Sequence, residues 1–353
     1  MKKYFFAALV LFSSCSKTGT DHAPIDTKGE ILFISRRIPN SSDWQMFLMD
    51  ADGTNQRAIT QTMVRCAPPV LSHNGLKIAF TTYENFNYNL YVIDKDGQHE
   101  KLLTTAKQYC GNPAWSPDDS KIAYVKNAAQ TAGNNDIYSI NVDGSNEMRL
   151  TTQNDNYSPH FLSNNAIILF TSSSSSFTGV YSMKTDGSNQ QLLTPANKSF
   201  GLSAVSPNEK KIALNSLDRA GSQIFVMDIN GSNLKQLTFT VDTKYFDIGF
   251  PRDGNGSPSW SPNGDKLAYV SYENGGPDIF VMDANGKNNK RLTDGPLRDE
   301  SPTWTKDGRY IIFSSNRNVS LSSEIYIMKA DGRLQTPLNN YIADDVYPAF
   351  ISK

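Results

Sequence analysis

The stretch Ile279-Phe280-Val281-Met282-Asp283-Ala284-Asn285-Gly286-Lys287-Asn288-Asn289-Lys290-Arg291-Leu292-Thr293 decides the fold. Apolar residues alternate at Ile279 and Val281, which suits a strand with one buried face. The Asn-Gly pair then lets the chain turn with positive φ before Lys290 to Thr293 resumes as a second strand. Six further copies surround it: MFLMDADGTNQRAIT (46–60), LYVIDKDGQHEKLLT (90–104), IYSINVDGSNEMRLT (137–151), VYSMKTDGSNQQLLT (180–194), IFVMDINGSNLKQLT (224–238) and IYIMKADGRLQTPLN (325–339). The turn glycines Gly53, Gly97, Gly144, Gly187, Gly231, Gly286 and Gly332 are 44, 47, 43, 44, 55 and 46 residues apart. A period in the forties is that of a four-stranded propeller blade.

A second hairpin accompanies each of these. PAWSPDDSKIAYV (113–125), PSWSPNGDKLAYV (258–270) and PTWTKDGRYIIF (302–313) show it most clearly. Trp115, Trp260 and Trp304 are matched by Leu71, Phe161, Val205 and Phe350, so a large apolar residue recurs at this place in every unit. Each is expected to fill the space between adjacent blades, burying area worth roughly 2 kcal/mol per side chain. The last unit-start strand, Tyr347 to Ile351, has no hairpin after it, whereas Ile31 to Ser35 begins at a second strand. The expectation is an all-β, seven-bladed β-propeller of four-stranded antiparallel blades. The C-terminal strand completes the N-terminal blade and removes an exposed edge.

These repeats resemble those of the TolB-type propellers, relatives of the WD repeats that also form the N-terminal propeller of prolyl oligopeptidases. The chain departs from TolB proper in having seven units rather than six, and it is expected to lack both the extra N-terminal α/β domain and a peptidase domain. The resemblance implies the fold and an interaction scaffold without a cofactor.

At the N-terminus, Lys2 and Lys3 precede an apolar run from Tyr4 to Phe12, then Ser13, Ser14 and Cys15. The run is too short to span a bilayer and reads as an export signal over residues 1–14. Phe12-Ser13-Ser14-Cys15 resembles a bacterial lipobox, which implies that Cys15 becomes the lipidated first residue. Ser16 in place of Asp is associated with the outer membrane in that family. Residues 15–29 are polar, with almost no apolar side chains, and are expected to be a flexible tether to the propeller at 30–353.

A net charge of -1 with 20% charged residues lacks the basic excess that nucleic-acid binding needs. The expected partner is an envelope protein, with an extracellular glycan or peptide as the alternative. The lipid is expected to be the only membrane contact, and the propeller a monomer.

Binding is expected on the face that carries the variable connections, 36–45, 82–89, 126–136, 171–179 and 314–324, because loops on a rigid scaffold are where contacts are made. The longest excursion, 239–256, holds Tyr245, Phe246, Phe250 and Arg252. Around the axial opening, just before the first strand of each unit, fall Tyr109, Tyr157, Phe200, Arg298, Asp299, Glu300, Asp344 and Asp345. Aromatic and charged residues mixed in this way suit a peptide, a protein loop or a glycan.

The DADGTN-like segments alternate acids before a glycine, as calcium loops do. Here Gly53 is the fourth residue from Asp50 rather than the sixth, and Lys184 and Lys329 replace the first acid in two units. They read as turns, and no metal site is expected. Cys66 and Cys110 are one repeat apart and occupy equivalent positions in adjacent blades. Those positions admit a disulfide if the Cα atoms approach within ~7 Å, and equally two buried thiols. His22, His73, His99 and His160 are scattered, and no nucleophile elbow or zinc motif occurs, so no catalytic residue is assigned. One enzyme alternative is a polysaccharide lyase similar to the seven-bladed oligogalacturonate lyases, which hold a metal through propeller histidines. That histidine constellation finds no matching positions here.

Overall fold

The structure, a computed structural model, describes residues 28–37, 43–60, 68–84, 87–104, 109–127, 134–216, 222–239, 255–273, 276–294, 297–317, 322–339 and 343–352. Their strands form seven four-stranded antiparallel sheets, and there is no helix among the described residues. Blade 3 shows the pattern: Tyr109–Trp115 is innermost, followed outward by Lys121–Asn127, Asp136–Asn141 and the short Met148–Arg149. Blades 2, 4, 5, 6 and 7 repeat it from inner strands Val70–Leu71, Asp155–Phe161, Phe200–Val205, Asn255–Trp260 and Asp299–Trp304. Blade 1 is stitched from both ends of the chain. The C-terminal strand Asp345–Ser352 pairs with Gly29–Ser35, which is followed by Gln45–Asp50 and Arg57–Ala58.

The core is divided into seven apolar clusters, each shared by two neighbouring blades, so that burial itself runs around the ring. Ile31, Phe33 and Met49 of blade 1 pack with Ile312, Ile325 and Ile327 of blade 7, and this is the contact that closes the circle. The three tryptophans are buried between blades as expected. Each also donates its indole N–H to a backbone carbonyl of the preceding blade: Trp115 to Val70 at 2.9 Å, Trp260 to Ala204 at 3.2 Å and Trp304 to Ser259 at 3.1 Å. A tryptophan at this position therefore both packs and locks the angle to its neighbour.

The last residue of each quoted repeat has a role that spacing alone does not reveal. The backbone N–H of Met46, Leu90, Ile137, Val180, Ile224 and Ile279 donates to the hydroxyl of Thr60, Thr104, Thr151, Thr194, Thr238 and Thr293, and Ile325 donates to the Asn339 side chain. The outer strand is only two residues long, so this buried bond secures its far end to the third strand. Leaving such a buried amide unpaired would cost about 1–3 kcal/mol.

The turns explain the glycines. All seven repeat glycines have φ between +81° and +91°. A Cβ on Gly53 would lie 2.2 Å from the Leu338 carbonyl oxygen of the neighbouring blade, so both conformation and contact require glycine there. The acid beforehand is consumed by the turn: Asp52 accepts from the Thr54 backbone N–H at 3.0 Å and from its hydroxyl at 2.6 Å.

Candidate binding face

Each blade's inner-to-second and third-to-outer turns lie at one end of the ring, and the variable connections lie at the other. The short-turn end is knit together by side chains. In the turn between the inner and second strands of blade 3 the Ser116 hydroxyl holds the Asp118 carboxyl down at about 2. His73 of blade 2 meets Asp119 of blade 3 at 3.2 Å, and Lys101, Lys235 and Lys290 each donate to a turn carbonyl of the following blade. Two cavities open between blades at this end. One, of about 650 Å³, has Val281, Leu292, Trp304, Lys290 and Lys306 in its walls; the other, of about 770 Å³, has Val226, Leu237, Lys211 and Lys235. Neither was foreseen from the sequence, because each wall joins residues from two repeats.

The inner strands carry a shared distortion. Asn112, Ser158, Ser257, Ser301 and Tyr347 all have φ between +47° and +56°, each directly before a proline, and each strand's pairing slips at that point. A bulge on the innermost strand bends it and re-aims the side chains on either side.

The residues expected at the variable end separate into two layers. In the outer layer, Arg298 and Glu300 form an ion pair at 2.6 Å, with Arg298 half exposed and the Tyr272 hydroxyl donating to Glu300 at 3.4 Å. The hydrogen bond to Glu300 raises the Arg298 pKa and keeps it charged. Asp344 faces Arg36 at 3.4 Å and also accepts from the Ser323 backbone N–H. Tyr109 is 37% exposed and Tyr157 is half-buried.

Phe200, Asp299 and Asp345 were expected at the rim, but the structure places them beneath it. Phe200 is fully buried, edge-on to Phe225 at 5.1 Å. Asp299 is buried against Arg317 at 2.7 Å, and Asp345, with no exposed surface, is held by Arg37 at 2.7 Å and by the Asn339 amide at 2.6 Å. Burial outweighs those partners for Asp345 and raises its pKa. The cause of the misplacement is the alternation of the strand: Arg298 and Asp344 lie on its outward side, and the next residue turns in.

Arg37 and Arg317 are the functional-end residues that the sequence reading missed. Each follows a core aromatic by four positions, Phe33 or Phe313, and the guanidinium lies over that ring at 5.3 Å or 5.4 Å. The repeated offset was the available signal. Within blade 6, Asp278 pairs with Arg291 at 2.7 Å, yet burial pushes its pKa up to about 6. Asp278 and Asp299 interact, but each is locked to its own arginine, an arrangement that braces the sheet ends rather than one poised to exchange protons.

Tyr245, Phe246, Phe250, Arg252, Cys66 and Cys15 lie outside the described residues. Cys110 is buried with a free thiol, its pKa pushed up to about 11 by burial. Among the described residues no group of three or more His, Cys, Asp and Glu side chains could hold a metal. His99 contacts Asp94 at 2.8 Å, and desolvation holds the His160 pKa below its usual value although that side chain reaches solvent.

Comparison with known proteins adds the family. The model of the TolB beta propeller domain matches residues 22–248 and 247–344. The Tol-Pal system protein TolB of Bordetella pertussis is 31% identical over a match covering 22% of this chain and 27% of that protein. Thus the chain matches about a quarter of that relative's length. The crystal structure of TolB from Acinetobacter baumannii superposes with a TM-score of 0.54 at 20% identity, over 89% of this chain and 81% of that one. The β-propeller domain of the Trilobed protease from Pyrococcus furiosus, which has an open velcro topology, gives 0.64 at 15% identity over 90% and 96%. At such identities these structures speak for the fold alone.

Proposed function

Because the chain belongs to the TolB beta-propeller family, we propose that it is a non-enzymatic lipoprotein of the cell envelope whose variable-loop face holds a protein partner. The observation that carries this reading is the two-layer construction of that face. An outer layer of Arg298, Glu300 and Asp344 borders buried clamps, Arg317 with Asp299 and Arg37 with Asp345. Side chains supported in this way are held in place before a partner arrives, which lowers the entropy cost of binding. Tyr245, Phe246, Phe250 and Arg252 belong to the same proposed surface by their place in the chain.

The proposed location is the outer membrane, with Cys15 as the lipidated residue and the polar segment 15–29 as a tether that lets the face reach its partner. Cys15→Ser should move the protein from the membrane fraction to the soluble one; unchanged membrane association would refute the anchor. The partner is tested by crosslinking in intact envelopes, comparing the wild type with a variant carrying Arg298→Ala, Glu300→Ala and Asp344→Ala, and a second carrying Tyr245→Ala, Phe246→Ala and Phe250→Ala. A protein captured by the wild type and lost from either folded variant supports the reading. Identical capture by all three places the site elsewhere.

A further inference from the structure

The hairpin joining the second and third strands of blade 2 is longer than its counterparts. It forms eight residue pairs, from Lys77 with Asp94 to Glu84 with Asn87, where those of blades 3, 6 and 7 form six. The extra pairs carry the ladder outward over the variable-loop face. On this extension Tyr83 and Tyr88 stand directly opposite one another, with ring centroids 4.6 Å apart. Tyr88 in turn meets Tyr109 of blade 3 edge-on at 5.1 Å. None of the three belongs to the apolar clusters on either side of blade 2, which are complete without them.

The neighbouring backbone is shaped to this group. A Cβ on Gly111 would lie 2.6 Å from the Tyr109 hydroxyl oxygen, so glycine two residues along is what allows the phenol to lie back along its own strand. That posture leaves Tyr109 37% exposed, with Tyr83 and Tyr88 half-buried behind it. Thr82 and Asn89, which pair with each other at the base of the extension, and Asn127, which pairs with Tyr109, are polar but carry no charge. Three tyrosine rings set at 45° and 66° to one another offer apolar ring faces edged by hydroxyls, at little conformational cost because each ring has only two side-chain torsions.

We propose that Tyr83, Tyr88 and Tyr109 form a carbohydrate platform that stacks the C–H face of a neutral pyranose ring. A pyranose presents a flat apolar patch bordered by hydroxyl groups, which matches tyrosine faces bordered by phenols and amides. Thr82, Asn89 and Asn127 at its base carry no charge, and Glu84 at the tip of the hairpin disfavours an anionic sugar, which points to a neutral one. The platform is separate from the Arg298 and Glu300 surface, so the glycan and protein sites operate side by side on one face.

The test is isothermal titration calorimetry of the whole soluble chain with cellohexaose, maltohexaose and chitohexaose, and with a proline hexapeptide as the competing chemistry. At least one hexaose should bind the wild type. Tyr109→Ala and Tyr88→Ala should each weaken it tenfold or more, Tyr109→Phe should stay within a few-fold, and the Arg298→Ala, Glu300→Ala and Asp344→Ala variant should bind as the wild type does. Tyr109→Ala decides the matter if Tyr88→Ala does not fold, since Tyr109 is the most exposed of the three. No hexaose binding to the wild type, binding that survives Tyr109→Ala, or a tyrosine-dependent response to the proline peptide alone would each overturn the proposal.

Discussion

Blade 3 and blade 1 have the same four strands, yet they are held together differently. Blade 3 is a continuous piece of chain whose inner strand ends in Trp115, with its indole bonded to blade 2. Near its other end Lys126 pairs with Glu147 at 2.7 Å, and Tyr124 donates to the same carboxylate. Blade 1 takes its inner strand from the far end of the chain, has the half-buried Phe350 in place of a tryptophan, and adds the buried pair of Arg37 and Asp345. At the position where blade 3 buries the neutral Cys110, blade 1 buries an acid. A buried ion pair adds little net stability over an apolar pair, but it penalises a misplaced register severely because one charge is then left alone. The continuous blade 7 carries the same clamp in Asp299 and Arg317, so the pair is not peculiar to a recruited strand. The comparison teaches that in blade 1 it acts on a strand that arrives from the far end of the sequence, where a penalty on wrong docking has most to correct.

The largest effect should come from removing the recruited strand. Deleting Tyr347 to Lys353 exposes the edge of Gly29–Ser35 and opens the cluster shared with blade 7, a loss comparable to the ~5–15 kcal/mol that stabilises a whole domain. The truncated chain should aggregate or lose cooperative melting; one that melts like the full protein would show that closure is dispensable. Next, Trp115→Ala should cost ~3–5 kcal/mol in urea unfolding, and Phe350→Ala less, since Phe350 is only partly buried and has no N–H to lose. Equal costs would mean that the two blades rely on this position alike.

Breaking the docking pair comes third. Arg37→Ala leaves Asp345 buried opposite no guanidinium and should cost ~3 kcal/mol, while Arg37→Met combined with Asp345→Leu should recover most of it. If the double variant is no better than the single one, the pair contributes stability directly.

Smaller still is the effect of pH. The folded-state pKa of Asp345 is raised, so the folded protein binds the proton more tightly than the unfolded chain; this stabilisation is present at low pH and is lost as pH rises through the folded pKa. Asp278 behaves likewise, its contribution fading between the ordinary carboxylate value of ~4 and about 6. Asp345→Asn should therefore flatten part of the fall in stability above the ordinary carboxylate value, whereas Cys110→Ser at the equivalent place in blade 3 should leave the slope unchanged, because its thiol stays neutral up to about 11. A slope unaltered by Asp345→Asn would contradict this. Smallest is Arg298→Ala, an exposed ion pair whose loss should shift stability by no more than ~0.5 kcal/mol while still disturbing partner capture.

Much of this architecture was legible before any coordinates. The spacing of Gly53 through Gly332, the recurrence of Trp115, Trp260 and Trp304, and the unmatched strands at the two ends specified seven blades and their closure. These features are readable because they are local and repeated: alternation sets which side of a strand is buried, and Asn-Gly or Asp-Gly sets the turn. What tertiary structure decided was which end residues remain outside. Asp299 and Asp345 look like Glu300 and Asp344 in sequence, but their neighbours are Arg317 and Arg37, the latter 308 positions away in the chain. The same holds for the tyrosines, since Tyr88 and Tyr109 meet only because two blades stand side by side. Whether a residue at a blade's end is buried depends on the partner that strand pairing or blade packing brings to it, and that is information a repeat carries only once its strands have paired and the ring has closed.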